Sequence, residues 1–200
     1  MSFKKFNPRT AVLLLIIIAV AVLRLLSHFT DHLSSFSNFT PIGAMALFGG
    51  ASFKGRIKPF FFPLFTLFIS DVVLSFTIYA DFRSGLLYGG WYWTYAAFAL
   101  MVVAGKLLVK NVNVKNVVFG VIVTTIIHWL VSDIGGCLNE ESTEAMLSLY
   151  GQRLIAAIPY ELNFFIGTLI YGGLMFGSFE WLQRRYPGIG LGSKQKSLAS

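Results

Sequence analysis

The sequence predicts an all-α membrane protein: a bundle of six transmembrane helices with both termini cytoplasmic and the second helix short or kinked. Three observations predict it. The 200 residues are 56% hydrophobic and only 12% charged, against about 25% charged in a typical soluble domain. Apolar runs near the roughly 20 residues needed to cross a bilayer recur along the chain. Basic residues collect at every second connection, as the positive-inside rule requires for an even number of crossings. A net charge of +7 would suggest nucleic acid as partner for a soluble protein. Here its alternating placement points to the lipid bilayer instead, and no nucleic-acid partner is expected.

The first span runs from about Thr10 to Leu26 after the basic start Lys4, Lys5 and Arg9. No small-x-small cleavage site follows it before Ser34, so it reads as a retained helix and not as a signal peptide. The second apolar stretch, Pro41 to Phe53, has about 13 residues and is short for a crossing. Treating it as re-entrant would put Lys54, Arg56 and Lys58 on the wrong side, so charge argues that it crosses. Pro59 to Tyr79 forms the third span, with Pro63 and Asp71 inside it, and Leu86 to Leu108 the fourth. Lys106, Lys110 and Lys115 mark the next cytoplasmic connection, followed by Val114 to Ile134 as the fifth span. Leu154 to Trp181 is the sixth, with Pro159 near its start and Arg184, Arg185, Lys194 and Lys196 after it. Residues 1–187 then make one transmembrane domain, and 188–200, rich in Gly, Ser and Lys, a flexible cytoplasmic tail.

Depth places the polar residues. At about 1.5 Å per residue, Asp71 is about 18 Å from the cytoplasmic end of its span. A carboxylate there on a lipid face would cost about 2.5 to 3.5 kcal/mol, so it must face protein or water. His128 falls at nearly the same depth, on one helical face with Thr124 and Ser132. Asp133 closes the fifth span, Glu161 and Asn163 open the sixth, and Trp91 and Trp93 open the fourth. These groups converge on the outer side, as an outward-facing site would. Asp71, His128 and Asn163 are the candidates for polar recognition, with Asp133 and Glu161 as further carboxylates. Trp91 and Trp93 are candidates for stacking, and Asn38, Thr40 and Pro41 for shaping the mouth. Trp91 to Trp93 equally suit an interfacial aromatic belt. Ala46 with Gly50, and Gly173 with Gly177, are small-residue pairs that let helices approach closely, within the bundle or against another protein.

Several chemistries lack support. Cys137 is the only cysteine, so there is no internal disulfide and no cysteine-based metal knot. His28 and His32 stand four apart but have no further ligand near them in sequence, so no metal site is assigned. The chain has no GxxxxGK[ST], HExxH or GxSxG motif, so it is not expected to be an enzyme of those classes, and no cofactor is implied. A less favoured alternative is an intramembrane aspartyl hydrolase using Asp71 and Asp133. Their difference in depth argues against it.

The block Asn38-Phe39-Thr40-Pro41-Ile42-Gly43-Ala44-Met45-Ala46-Leu47-Phe48-Gly49-Gly50-Ala51 resembles the signature of an uncharacterised family of small bacterial membrane proteins associated with transport. Pro63-Leu64 with Ser70-Asp71, Tyr95 to Leu100, and Asn163 with Gly167, Tyr171, Gly172 and Gly173 resemble its later blocks. The family is similar in size and layout to the S components of energy-coupling-factor transporters. That resemblance implies capture of a small polar nutrient, vitamin-like or metal-related, from outside the inner (plasma) membrane. It also implies docking onto a transmembrane coupling protein carrying two ATPases. Thr168, and the stretch His128-Trp129 to Ser132-Asp133, depart from the family pattern, so the ligand need not be shared. The alternative from the residues alone is an autonomous proton- or cation-coupled carrier in which Asp71 titrates.

Overall fold

The computed structural model describes residues 8–28, 39–77, 80–138 and 142–186. Six helices carry the fold: α1 (Pro8–His28), α2 (Ile42–Ser52), α3 (Lys58–Ser75), α4 (Trp91–Leu108), α5 (Val114–Ser132) and α6 (Thr143–Arg185). Among the described residues, α3, α4, the stretch containing α5 and α6 are long and apolar enough to cross a membrane. Asn38, residues 29–37, Glu140, Glu141 and the tail 188–200 lie outside the described residues.

The helices turn apolar side chains outward in ordered rows. On α6 Leu162, Ile166, Ile170 and Leu174 are exposed at four-residue intervals, as are Ile122, Ile126 and Leu130 on α5 and Phe61, Phe65 and Ile69 on α3. Four-residue spacing keeps a row on one helical face. Apolar rows of this extent facing water would be an aggregation hazard, whereas facing lipid they are solvated. The molecule is a helical membrane protein.

Helix α2 is its opposite, buried on every side: Ile42 to Gly50 and Ser52 are all covered. Glycines let its neighbours approach. A methyl on Gly50 would collide with the Val102 carbonyl of α4, and one on Gly105 of α4 with the Leu47 carbonyl of α2. The two backbones therefore touch where each helix lacks a side chain, as small residues permit in lipid. Gly49 receives the Pro63 ring of α3 in the same way, and Gly43 receives Thr168 and Phe164 of α6. Around this contact Phe48 meets Phe176 and Phe179 edge-on, at 5.1 and 5.7 Å between ring centroids.

At its 11 residues, α2 rises about 17 Å, little more than half of a 30 Å hydrocarbon layer. Its C-terminal end is tied to one end of the bundle, where Arg9 donates to the Ser52 carbonyl at 2.9 Å and stacks on Phe179 at 4.8 Å. Lys54, Arg56 and Lys58 follow directly between α2 and α3, and Lys106, Lys110 and Lys115 lie around the α4–α5 connection at this end. The N-terminal end of α2 stops within the bundle and leaves space above it.

Several boundaries differ from the sequence expectation. The fourth span was expected from Leu86, but a two-stranded antiparallel hairpin, β1 (Arg83–Ser84) and β2 (Leu87–Tyr88), precedes α4. Gly85 and Gly90 have φ of 82° and 75°, left-handed values that stop a helix from starting earlier. Helix α3 ends at Ser75, not Tyr79. Helix α6 starts at Thr143, eleven residues ahead of Leu154 by their numbering, because Ser142 caps it by accepting from the Ala145 N–H at 3.1 Å, which outweighs the polarity of the segment.

The crossing of α2 and α4 gives the first prediction. Gly50→Ala and Gly105→Ala should each destabilise the protein by about 1–3 kcal/mol through overpacking. Gly173→Ala should not, since nothing lies within 4 Å of a Cβ there. Thermal unfolding in detergent, followed by circular dichroism, measures the difference.

Candidate functional site

Above the N-terminal end of α2 lies a cavity of about 520 Å³. Its base is formed by Thr40 and Ile42 of the α2 entry, by Phe98 of α4 and by Phe164 of α6. Asp71, Leu74 and Ser75 of α3 form one wall. His128, Ser132 and Asp133 of α5 with Arg153 of α6 form another, and Tyr88, Gly89 and Gly90 border it beside α4. The helix periodicity explains the α3 wall: Asp71 and Ser75 are four apart and share a face. Both are buried, at 3% and 1% exposure.

The polar groups have defined partners. Tyr95 Oη donates to Asp71 Oδ2 at 3.1 Å. His128 Nδ1 meets Glu161 Oε1 at 2.8 Å, and the imidazole stacks on Phe164 at 4.1 Å with an interplanar angle of 12°. Phe98 abuts the same imidazole edge-on. Ser132 Oγ returns its hydrogen to the His128 carbonyl at 2.7 Å. The His128 ring is thus clamped by a carboxylate and two aromatic rings, which fixes its orientation toward the cavity. Behind it, Trp129 Nε1 donates to the Leu154 carbonyl at 2.9 Å and Tyr150 Oη to the Leu130 carbonyl, pinning the early part of α6 to α5. Ser75 Oγ and Glu161 Oε2 are buried without a hydrogen-bond partner. For Ser75 that leaves a hydroxyl at the cavity wall able to meet a ligand or water.

Helix α2 directs its N-terminal end at this cavity, and Pro41 there supplies no side-chain cap. The unpaired N–H groups of a first helical turn carry partial positive charge. They favour a negatively charged or hydrogen-bond-accepting group in the cavity.

Of the sequence candidates, Thr40, Asp71, His128 and Asp133 line the cavity together. Glu161 stands behind His128 and borders instead a shallow apolar groove of about 250 Å³ between α5 and α6. Pro41 is buried at the start of α2. Asn163 is half-buried and outside the lining. Trp91 is exposed and packs edge-on against Tyr95, with ring centroids 5.3 Å apart. Trp93 supports the cavity from outside, its ring against Gly135. Ala46 and Gly50 are enclosed by the bundle, whereas Gly173 and Gly177 face outward with nothing near them. Among the described residues, no three His, Cys, Asp or Glu side chains cluster to hold a metal ion. Cys137 is buried with its Sγ 3.7 Å from the Asp133 carbonyl oxygen.

Sequence reasoning missed Ser75, Thr94 and Arg153, all of which line the cavity. Ser75 was legible as the i+4 neighbour of Asp71. Arg153 falls one residue ahead of the sixth span expected from Leu154, whereas α6 already starts at Thr143.

A bundle of apolar helices around a half-open cavity, lined by polar and apolar side chains, defines a helical membrane protein with an internal chamber. The chain belongs to DUF6580, a family of unknown function whose profile matches residues 4–189. No curated protein and no solved structure matches it.

Removing the carboxylate behind His128 should cost stability. Glu161→Leu leaves a buried imidazole nitrogen unpaired and is expected to destabilise by about 1–3 kcal/mol, whereas Leu162→Ala one residue on, 57% exposed, changes little. Chemical denaturation in detergent micelles distinguishes the two.

Proposed function

We propose that this protein is an S-component-like membrane transport protein. In this reading it binds a small polar nutrient, vitamin-like or metal-related, from the outer side of the inner membrane for uptake. The observation that carries the proposal is the cavity of about 520 Å³ lined by Asp71, His128, Asp133 and Arg153, a size within the range of small-molecule pockets. Orientation follows from charge: the end holding Lys54, Arg56, Lys58, Lys106 and Lys110 faces the cytoplasm under the positive-inside rule. The cavity at the other end then opens outward.

Intramembrane ionisable groups that face a cavity are suited to substrate recognition. Asp71, presented by Tyr95, would accept hydrogen bonds from the ligand. His128, held by Glu161 and Phe164, would offer its free ring nitrogen. The chain has no nucleotide-binding loop, so energy would come from a separate module of a transmembrane coupling protein with two ATPases. The outward-facing Gly173 and Gly177 face of α6 is the docking surface in this reading. A second reading, an autonomous proton- or cation-coupled carrier, is favoured by the buried Asp71 carboxylate at the cavity wall.

Purification of the tagged protein from native membranes in mild detergent tests the proposal. A coupling protein and two ATPases should co-purify, and Gly173→Leu with Gly177→Leu should abolish their recovery. Their reproducible absence, while the same protocol recovers a known module, would favour the autonomous carrier, which predicts gradient-driven uptake into vesicles without ATP. If Asp71→Asn and His128→Ala both left uptake unchanged, the assignment of the site would be wrong.

A further inference from the structure

Besides Asp71, which Tyr95 engages on the α3 wall, two opposite charges line the cavity without meeting. Asp133 caps the C-terminal end of α5, and Arg153 reaches in from α6. No ion pair or side-chain hydrogen bond engages either of them among the described residues. The geometry between them is built. The Ile134–Gly136 turn connects α5 onward from Asp133. Gly135 rests on the Trp93 ring, and the Arg153 guanidinium lies against Gly136 so closely that a methyl there would collide with it. Glycine at 136 therefore lets the guanidinium lie along the turn backbone. At the other pole, the Asp133 carboxylate adds to the negative end of the α5 dipole, a combination that attracts a cation. Arg153 attracts an anion and binds carboxylates with a two-pronged donor geometry.

Resting on the reading of this cavity as a ligand site, we infer that its ligand is a small zwitterion of the amino-acid or betaine class. Its cationic group sits at Asp133 and its carboxylate at Arg153. A ligand carrying a single charge would leave one of these poles unmatched within the chamber. One carrying both satisfies the two poles at once and presents no net charge to the apolar base formed by Ile42, Phe98 and Phe164. Ser75 Oγ, buried at the wall with no partner, is a further contact for such a polar molecule.

The test is the small-molecule content of the full chain, tagged and purified from native membranes, with released compounds separated and identified by mass spectrometry. A compound bearing both an ammonium and a carboxylate group should be enriched over an unrelated membrane protein prepared alongside. Arg153→Gln and Asp133→Asn should each reduce its recovery at least about tenfold, the scale of a lost charged hydrogen bond. Lys110→Gln, at the opposite end of the bundle, should retain it. Gly136→Ala keeps both charges but displaces the guanidinium, and should lower recovery as well. Size-exclusion profiles matching the parent protein show that the variants fold. Enrichment of a neutral or singly charged compound overturns the zwitterion assignment while leaving the cavity a ligand site. Retention in both charge variants does the same. A reproducibly empty chamber in the parent protein overturns the ligand-site reading and this inference together.

Discussion

The backbone-to-backbone contact of α2 with α4 is the constraint from which the rest of the structure follows. Lipid supplies no hydrophobic drive for helices to associate, so packing must come from close approach. Gly50 and Gly105 make that approach possible, each opposite a carbonyl of the other helix. A helix held this tightly, and only 11 residues long, cannot fill the height of the bundle. The space above its N-terminal end is the cavity. The glycines that stabilise the centre and the hollow that could hold a ligand are two results of one short, small-faced helix.

Much of this was legible in the sequence, for physical reasons that differ between elements. Apolar length and alternating basic connections mark the long helices because hydrocarbon thickness and charge placement act on the chain directly. That Asp71 and His128 come near each other, as they do in lining one cavity, could be anticipated because helical rise is constant. The hairpin before α4 was missed, since two residues per strand are too few for alternation to show and the Leu86-Leu87-Tyr88 triplet reads as continuous with the apolar run. The early start of α6 was missed because a single cap at Ser142 outweighs eleven residues of mixed polarity. Arg153 went unseen as a consequence.

Which small-residue pairs face inward was beyond the sequence. Ala46 with Gly50 and Gly173 with Gly177 have the same spacing, yet one pair is enclosed and the other open. Spacing defines a face, and tertiary arrangement decides what it meets. The partner of His128 was likewise undetermined, because Glu161 is 33 positions away and its placement depends on how α5 and α6 rotate against each other. The Trp129 and Tyr150 hydrogen bonds are among the contacts that set that rotation.

The polarity of the α6 wall changes along its length. Arg153 and Phe164 both line the cavity and are eleven positions apart in one helix, about 17 Å of rise. Over that distance the surroundings pass from an exposed Arg153 to a Phe164 only 1% exposed, its ring stacked on His128. A molecule descending this wall would therefore shed its water in stages, exchanging hydration for fixed protein dipoles before reaching the aromatic base. In the ligand-site reading, such a graded wall would divide one large dehydration barrier into several small ones.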